Sequence, residues 1–424
     1  MSKLDELIAE LCPNGVEYKS LGEIATIARG GNFQKKDFCD RGVPCIHYGQ
    51  IYTKYGLFTD KTITFITEER AKKQKFAKTN DIIMAVTSEN IEDVCKCLAW
   101  LGNEDVAVSG HSAIISHNQN PKYLVYYFHS QMFFTQKRKL AHGTKVIEVT
   151  PDTLKSIKLP VPPLEVQREI VHILDSFTLL TAELTAELTA RKKQYEFYRD
   201  NLIKKEQHIS EVKKLADVAN IYDSLHQTPS YSNSGYSMVR VQDIKGGYLD
   251  EDKTLKVDES VWNLFTQKYT PRLNDIVVSR VGSYGNFALI PNDKCCLGQN
   301  VALIHPNINP KYLYHVLMST MTKQWINNNV KGASQKSFSL ADIKRVPVPV
   351  PKENIQQRIA EVLDNFEAIC TDLNIGLPAE IEARQKQYEY YRDLLLTFAE
   401  TGSTLMTDRQ TDRQTDRQTD RQTD

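Results

Sequence analysis

The sequence predicts an α+β protein: two tandem domains of mixed α/β content, separated by two long antiparallel coiled-coil helices and related by internal duplication. Three observations predict this. The stretch Glu165–Ile203 holds no Gly or Pro, and its apolar residues step by three and four through Ile170, Ile173, Phe177, Leu180, Leu184 and Leu188 to Tyr195 and Tyr198. Such steps place one apolar stripe on a helix, the seam of a coiled coil. The chain also repeats itself after roughly 190 residues. Finally, a Pro-rich segment precedes each copy of the long helix.

The repeat is collinear. Glu17–Ala25 returns as Glu211–Ala219, Asn80-Asp81-Ile82-Ile83 as Asn274-Asp275-Ile276-Val277, and Pro121-Lys122-Tyr123-Leu124 as Pro310-Lys311-Tyr312-Leu313. Pro160-Val161-Pro162 returns as Pro349-Val350-Pro351, and Gln194–Asp200 as Gln387–Asp393. The boundaries expected from this pattern are a first domain at 1–158, a hinge and helix at 159–206, a second domain at 207–346, a hinge and helix at 347–400, and a tail at 401–424.

Within each domain, Ile82–Val86 and Ile276–Ser279 read as strands, and Lys122–Lys139 and Lys311–Asn327 as helical runs. The hinges Leu159–Pro163 and Val346–Pro351 read as extended, since each proline fixes φ and biases its predecessor out of the helix. The second long helix carries one more four-residue step than the first. That step holds Gly376-Leu377-Pro378, which predicts a kink or break. Matching seams predict that the two helices pair antiparallel; packing of each on its own domain is the alternative.

The chain has 424 residues, 25% of them charged, and a net charge of zero. The sum conceals a pattern. Residues 1–158 carry three excess positive charges and residues 207–346 carry four, whereas residues 347–400 are acidic. Nucleic-acid binding is therefore not excluded. No apolar run is long enough to cross a bilayer, and the acidic, amphipathic first residues are unlike a signal peptide. Eight scattered cysteines lack zinc spacing and read as reduced thiols in a cytoplasmic protein. The run Lys72-Lys73-Gln74-Lys75 with Lys78 reads either as a phosphate-binding strip or as a solvated helix face.

Catalytic signatures are missing. Asn120-Pro121-Lys122-Tyr123 and Asn309-Pro310-Lys311-Tyr312 approach the Asn-Pro-Pro-aromatic tetrad of adenine methyltransferases, but Lys replaces the second Pro. No Gly-rich loop follows a strand, and no Gly-Lys-Ser/Thr phosphate loop is present. Asn-Pro is expected to cap a helix instead. No catalytic residue and no metal site are assigned.

The whole chain apart from its last ~20 residues resembles the specificity subunit of a type I restriction–modification system. The resemblance rests on the duplicated domain-plus-helix unit, the Pro-Val-Pro hinge leading into Gln167-Arg168-Glu169-Ile170, and the paired ends Arg191–Asp200 and Arg384–Asp393. The tandem Thr-Ala-Glu-Leu at 181–188 points to the IC subfamily. The resemblance implies that each domain is a target recognition domain reading half of a split double-stranded DNA sequence. It implies that the helices form a spacer whose repeat count sets the gap, and that they dock two methyltransferase subunits and two motor–nuclease subunits. No cofactor is then bound by this chain; S-adenosylmethionine, ATP and Mg belong to the partner subunits. A coiled-coil scaffold joining two protein-binding domains is the competing class, and it leaves the basic domains unexplained.

Base and phosphate contacts favour Arg, Lys, Asn, Gln and Ser on loops. Candidates in the first domain are Arg29, Asn32, Gln34, Lys35 and Lys36, then Thr87, Ser88 and Asn90, and His111. In the second they are Arg240 and Gln242, Ser279 and Arg280, Gln299 and Asn300, and Ser334, Gln335 and Lys336. Leu180, Leu184, Leu188, Tyr195, Tyr198, Tyr388 and Tyr391 are the expected spacer and subunit interface. From Thr407 the tail repeats Thr-Asp-Arg-Gln without an apolar residue, which predicts disorder. A four-residue period is also what a four-nucleotide gene repeat encodes, which would make expression prone to phase variation.

Overall fold

The structure, a computed structural model, describes residues 2–244, 247, 249, 251–330, 337–371 and 376–401. The expected disorder of the tail concerns residues outside that set. The chain divides into two units, residues 1–183 with 382–424, and residues 184–381.

In the first unit Ile82–Ala85 is buried along its whole length, as a strand covered on both faces must be. It sits at the centre of a five-stranded sheet ordered Ala25–Arg29, Ser112–His117, Ile82–Ala85, Cys97–Trp100, Phe58–Thr59. Alternate residues serve two cores. Ile82 and Met84 face the helix Pro121–Phe128 and its neighbours, while Ile83 and Ala85 face Val106, Val108 and Trp100. A second sheet follows the order Phe38–Cys39, Thr64–Ile66, Val43–Ile46, Val106–Val108, Lys75–Ala77. Within it Val43–Ile46 and Val106–Val108 run parallel.

The second unit repeats this plan, with fewer strands among the described residues. Its main sheet is Ala219–Asp223, Val301–Pro306, Ile276–Ser279, Phe287–Leu289. A smaller sheet centres on Tyr236–Val239, parallel to Cys295–Leu297.

Each expected helical run is in fact two helices. Pro121–Phe128 is followed by Gln131–Leu140, and Pro310–Met318 by Thr320–Asn329. The break comes from serine. Ser130 donates to Tyr127 O and accepts from Phe133 N, so it ends one helix and caps the next. Ser319 does the same between Val316 O and Thr322 N. Asn120 and Asn309 cap their helices with Pro at the first turn, as the sequence predicts.

Part of each hinge is a strand. Lys158–Pro160 pairs antiparallel with Tyr18–Ser20, and Pro347–Val350 with Glu211–Lys214. Spacing the prolines two apart lets the valines between them supply the donors. A buried glutamine then fixes the turn into each helix. Gln167 Nε2 donates to Pro162 O at 2.8 Å and its Oε1 accepts from Asn120 N at 3.0 Å; Gln356 does the same to Pro351 O and Asn309 N.

The first long helix runs Leu164–Ile209, six residues beyond the stretch Glu165–Ile203 and three beyond the expected boundary at 206. The second stretch comprises two helices, Glu353–Thr371 and Leu377–Thr401. The predicted break is present, with Pro378 in the first turn after Gly376; residues 372–375 lie outside the described set. The two stretches pack together within each unit. In the first, Phe177 stacks on Tyr391 with ring centroids 5.4 Å apart; in the second, Tyr198 meets Phe366 at 5.6 Å. Residue numbers thus rise along one stretch as they fall along the other, the antiparallel sense.

Helix-on-domain packing occurs too, with an exchange of partners. Val166, Ile170 and Leu174 enter the first unit's core, and so do Leu395, Leu396 and Phe398. Tyr195 and Ile203 enter the second unit's core beside Ile359 and Leu363. The repeated ends explain the anchoring. Asp393 Oδ1 accepts from Gln131 N at 3.2 Å, at the start of the helix Gln131–Leu140, and Asp200 Oδ1 accepts from Thr320 N at 3.1 Å. Beside these carboxylates Arg392 lies over Tyr388, and the buried Arg199 lies over Tyr195.

Candidate nucleic-acid interface

Each unit carries an open cleft where its parallel strand pair ends. In the first unit Val43–Ile46 leads into His47 and Tyr48, and Val106–Val108 leads into Ser109-Gly110-His111. These residues, with Arg29–Gln34, line a cleft of about 550 Å³. In the second unit Tyr236–Val239 leads into Arg240, Val241 and Gln242, and Cys295–Leu297 into Gly298-Gln299-Asn300. These residues, with Thr228, Pro229, Tyr231 and Ser283, line a cleft of about 430 Å³. Equivalent positions of the repeat therefore face equivalent clefts: His47 and Arg240, Ser109 and Gly298, which donate to Ile46 O and Val239 O, and His111 and Asn300, which accept from Val86 N and Arg280 N.

Glycine builds the floor of the first cleft. Gly31 bridges Ser109, and a Cβ on Gly30 would stand 2.2 Å from Ser109 O and 2.7 Å from Val108 O. Both clashes are with backbone, so a side chain there must push the cleft walls apart. Gly30→Ala is expected to cost the first unit about 1–3 kcal/mol. Thermal unfolding of the purified chain checks this; an unchanged melting profile would show that the walls yield freely.

The imidazole of His47 lies 4.5 Å from the Tyr48 ring, which lies 4.9 Å from that of His111. Burial, helped by Lys35 and His111, pushes the pKa of His47 down to about 4. It is neutral at physiological pH, and its Nδ1 accepts the Gly49 N–H at 3.2 Å. Thr87 Oγ1 reaches His111 Nδ1 at 3.2 Å.

The sequence candidates divide by position. Arg29, Asn32, Gln34 and His111 line the first cleft, with Lys35 exposed beside it. Lys36 lines a separate shallow groove with Arg70 and Lys73. Arg29 is ion-paired to Glu148 and donates to Gly110 O. Thr87 is buried against His111, Ser88 lies on a short strand paired with Ile147–Glu148, and Asn90 bonds to Asp93. Arg240, Gln242, Gln299 and Asn300 line the second cleft. Ser279 is fully buried and donates to Ser283 O, and Arg280 is largely buried in an ion pair with Asp223. Ser334, Gln335 and Lys336 lie outside the described residues. The lysine run is no helix face: the helix ends at Ala71, and Lys75 opens an edge strand. His47, Tyr48, Thr228 and Tyr231 line the clefts although no local motif marks them; the signal for His47 was its match to Arg240 in the repeat.

On the long helices Leu180, Leu184 and Leu188 are half-buried, as seam residues are. Tyr195 is buried, its hydroxyl 2.9 Å from His315 Nδ1, and Tyr388 packs near Tyr126. Both brace a helix against a domain, whereas Tyr198 and Tyr391 face the other helical stretch.

Among the described residues one group brings metal-ligand atoms together: His315, Asp364 and Glu367, within 4.8 Å of one another. They satisfy each other and their neighbours. His315 Nε2 meets Asp364 at 2.8 Å, Lys311 meets Asp364 at 2.5 Å, and Tyr314 donates to Glu367 at 2.9 Å. In the first unit Tyr126, Asp175 and Thr178 occupy the matching positions. Burial pushes the Glu367 carboxyl above its ordinary range. For Asp364 burial acts upward too, but hydrogen bonds from His315 and Lys311 outweigh it and leave the carboxyl below its usual value. The signs oppose. Glu367 holds its proton more tightly folded than unfolded, so its contribution to stability falls as pH rises through the ordinary and then the raised range; Asp364 loses stability as pH falls. Glu367→Gln is expected to shrink the loss of Tm as pH rises through and above the ordinary glutamate range. An unchanged pH profile by scanning calorimetry would overturn this.

Comparison with known proteins accords with this arrangement. The family model of the type I restriction modification DNA specificity domain matches residues 13–191 and again residues 209–383. The specificity subunit of a type I restriction enzyme from Escherichia coli is 36% identical over 258 residues, covering 58% of this chain and 63% of that subunit. A putative type I restriction enzyme specificity subunit from Haemophilus influenzae is 29% identical over 313 residues, covering 71% of this chain and 77% of the other. A chain solved in work on complex assembly and conformational transition of the type I R-M system shares the fold. Its TM-score is 0.54 at 16% identity, over 91% of this chain and 98% of that one. No helix among the described residues is long and apolar enough to cross a membrane.

Proposed function

Since the chain belongs to the type I restriction modification DNA specificity family, we propose that its two clefts each read one half of a bipartite double-stranded DNA target. The observation that carries this is the duplicated cleft, built on the same backbone at equivalent positions but lined by different side chains. Such a pair is suited to two unlike half-sequences. In this reading residues 1–158 and 207–346 are the target recognition domains, and residues 159–206 and 347–400 the spacer. The subunit is IC-like, by its tandem Thr-Ala-Glu-Leu, and resides in the cytoplasm. Two methyltransferase and two motor–nuclease subunits dock on it and bring S-adenosylmethionine, ATP and Mg. The chain contributes recognition and geometry rather than chemistry.

Among the candidates, Arg29, Asn32, Lys35, His111, Arg240, Gln242, Gln299 and Asn300 stand at or beside the clefts and are the proposed DNA contacts. The experiment is co-expression with the neighbouring methyltransferase gene in a methylation-free host, followed by mapping of modified adenines. A split motif with a fixed gap, present only with this chain, is the expected result. A soluble complex that leaves the genome unmodified would overturn the reading and favour a scaffold.

A further inference from the structure

Arg240 is held in an unusual way. Its backbone N–H and its Nε both donate to Asp243 Oδ2 at 2.9 Å, and its Nη2 donates to Asp243 Oδ1 at 2.9 Å. One carboxylate therefore occupies the Nε–Nη2 edge of the guanidinium and fixes its plane. The Nη1–Nη2 edge stays available on the cleft side. There, among the described residues, it meets the side-chain oxygen of Gln242, 2.9 Å from both nitrogens with that amide in its hydrogen-bonding orientation. Gln242 is an exposed residue on a single turn, so it is free to swing away.

The equivalent place in the first unit separates scaffold from reader. His47 N–H donates to Gln50 Oε1 at 2.9 Å, the same backbone brace from the residue three positions on. The side chain above the brace differs, imidazole in one cleft and guanidinium in the other. A position with a shared backbone and a changed side chain is what two readers of unlike sequence require.

We propose that Arg240 reads a guanine of the second half-site through its Nη1–Nη2 edge, with Asp243 as positioning residue and Gln242 as a displaceable cap. Two parallel N–H donors fit the O6 and N7 acceptors that guanine alone presents together in the major groove. A preset plane avoids the entropy of ordering a long side chain at binding. The inference rests on the clefts reading DNA, as proposed above.

The test uses the full chain with its methyltransferase partner and maps adenine methylation for the parent and for Arg240→Ala, Arg240→Lys and Asp243→Asn. Removing the fork is expected to relax one G·C position of the second half-site by roughly ten- to hundredfold, with the first half-site and the gap unchanged. Arg240→Lys keeps the charge without the fork and should relax the same position. Asp243→Asn should lower discrimination there in part while methylation at the guanine-containing motif persists, a split that a merely structural role would not produce. Binding to duplexes varied at that base pair reads out any variant too weak to methylate. An unchanged motif in Arg240→Ala or Arg240→Lys, or relaxation in the first half-site, overturns the proposal. A parent chain with no split motif would instead sink the DNA-reading function itself.

Discussion

Arg199→Ala should destabilise the second unit by about 3–5 kcal/mol, roughly 10 °C or more in its melting temperature. Only 2% of the Arg199 side chain is exposed. Its head pairs with Asp200 at 2.9 Å and lies 5.3 Å from the centre of the Tyr195 ring, whose hydroxyl meets His315. Truncation empties a large buried volume and frees the carboxylate that caps the helix Thr320–Asn329. Arg392→Ala removes the counterpart in the first unit, but 12% of that side chain is exposed, so its loss should be smaller. Hydrogen exchange on the two variants would localise the damage. Equal protection in both units of Arg199→Ala would contradict the assignment.

Deleting Thr185–Leu188 should shift the preferred gap between half-sites while leaving both half-sequences alone. The first long helix runs unbroken through these residues. Four residues remove ~6 Å of rise, against ~3.4 Å per base pair along a duplex. The gap is thus expected to shorten by one or two base pairs. The seven-residue interval from Leu188 to Tyr195 is preserved as one from Leu184, so the apolar stripe survives the cut. A methylation motif with its old gap would show that the helix is not the ruler. For any target already methylated in the cell the effect is all-or-none, since the enzyme then reads a different site.

What could be read from sequence was whatever is local or repeated. The buried run at Ile82–Ala85, the Asn-Pro helix starts and the unbroken stripe from Val166 onward each declare themselves within a few residues. The serine breaks at Ser130 and Ser319 were missed because apolar periodicity continues across them. The clefts were legible only in part. Arg29, His111, Arg240 and Gln299 lie beside glycine turns or strand ends, but their meeting with His47 or Thr228 depends on pairings between distant strands. Thr87 and Ser279 follow the same logic in sequence and point inward, since strand alternation decides which way a residue faces. The paired ends at Gln194–Asp200 and Gln387–Asp393 were plain as motifs. Their targets were not, for Asp393 caps a helix 262 residues upstream.

That exchange of helix ends sets an order of assembly during synthesis. Residues 184–381 form a unit continuous along the chain, whereas the first unit also needs residues 382–401. At ~5–20 residues per second, about 200 further residues take roughly 10–40 s to emerge. The apolar surface that receives Leu395, Leu396 and Phe398 therefore stays uncovered for that interval. The domain made first is finished last, and its nascent form is the one a chaperone or an early-bound partner has most reason to shield.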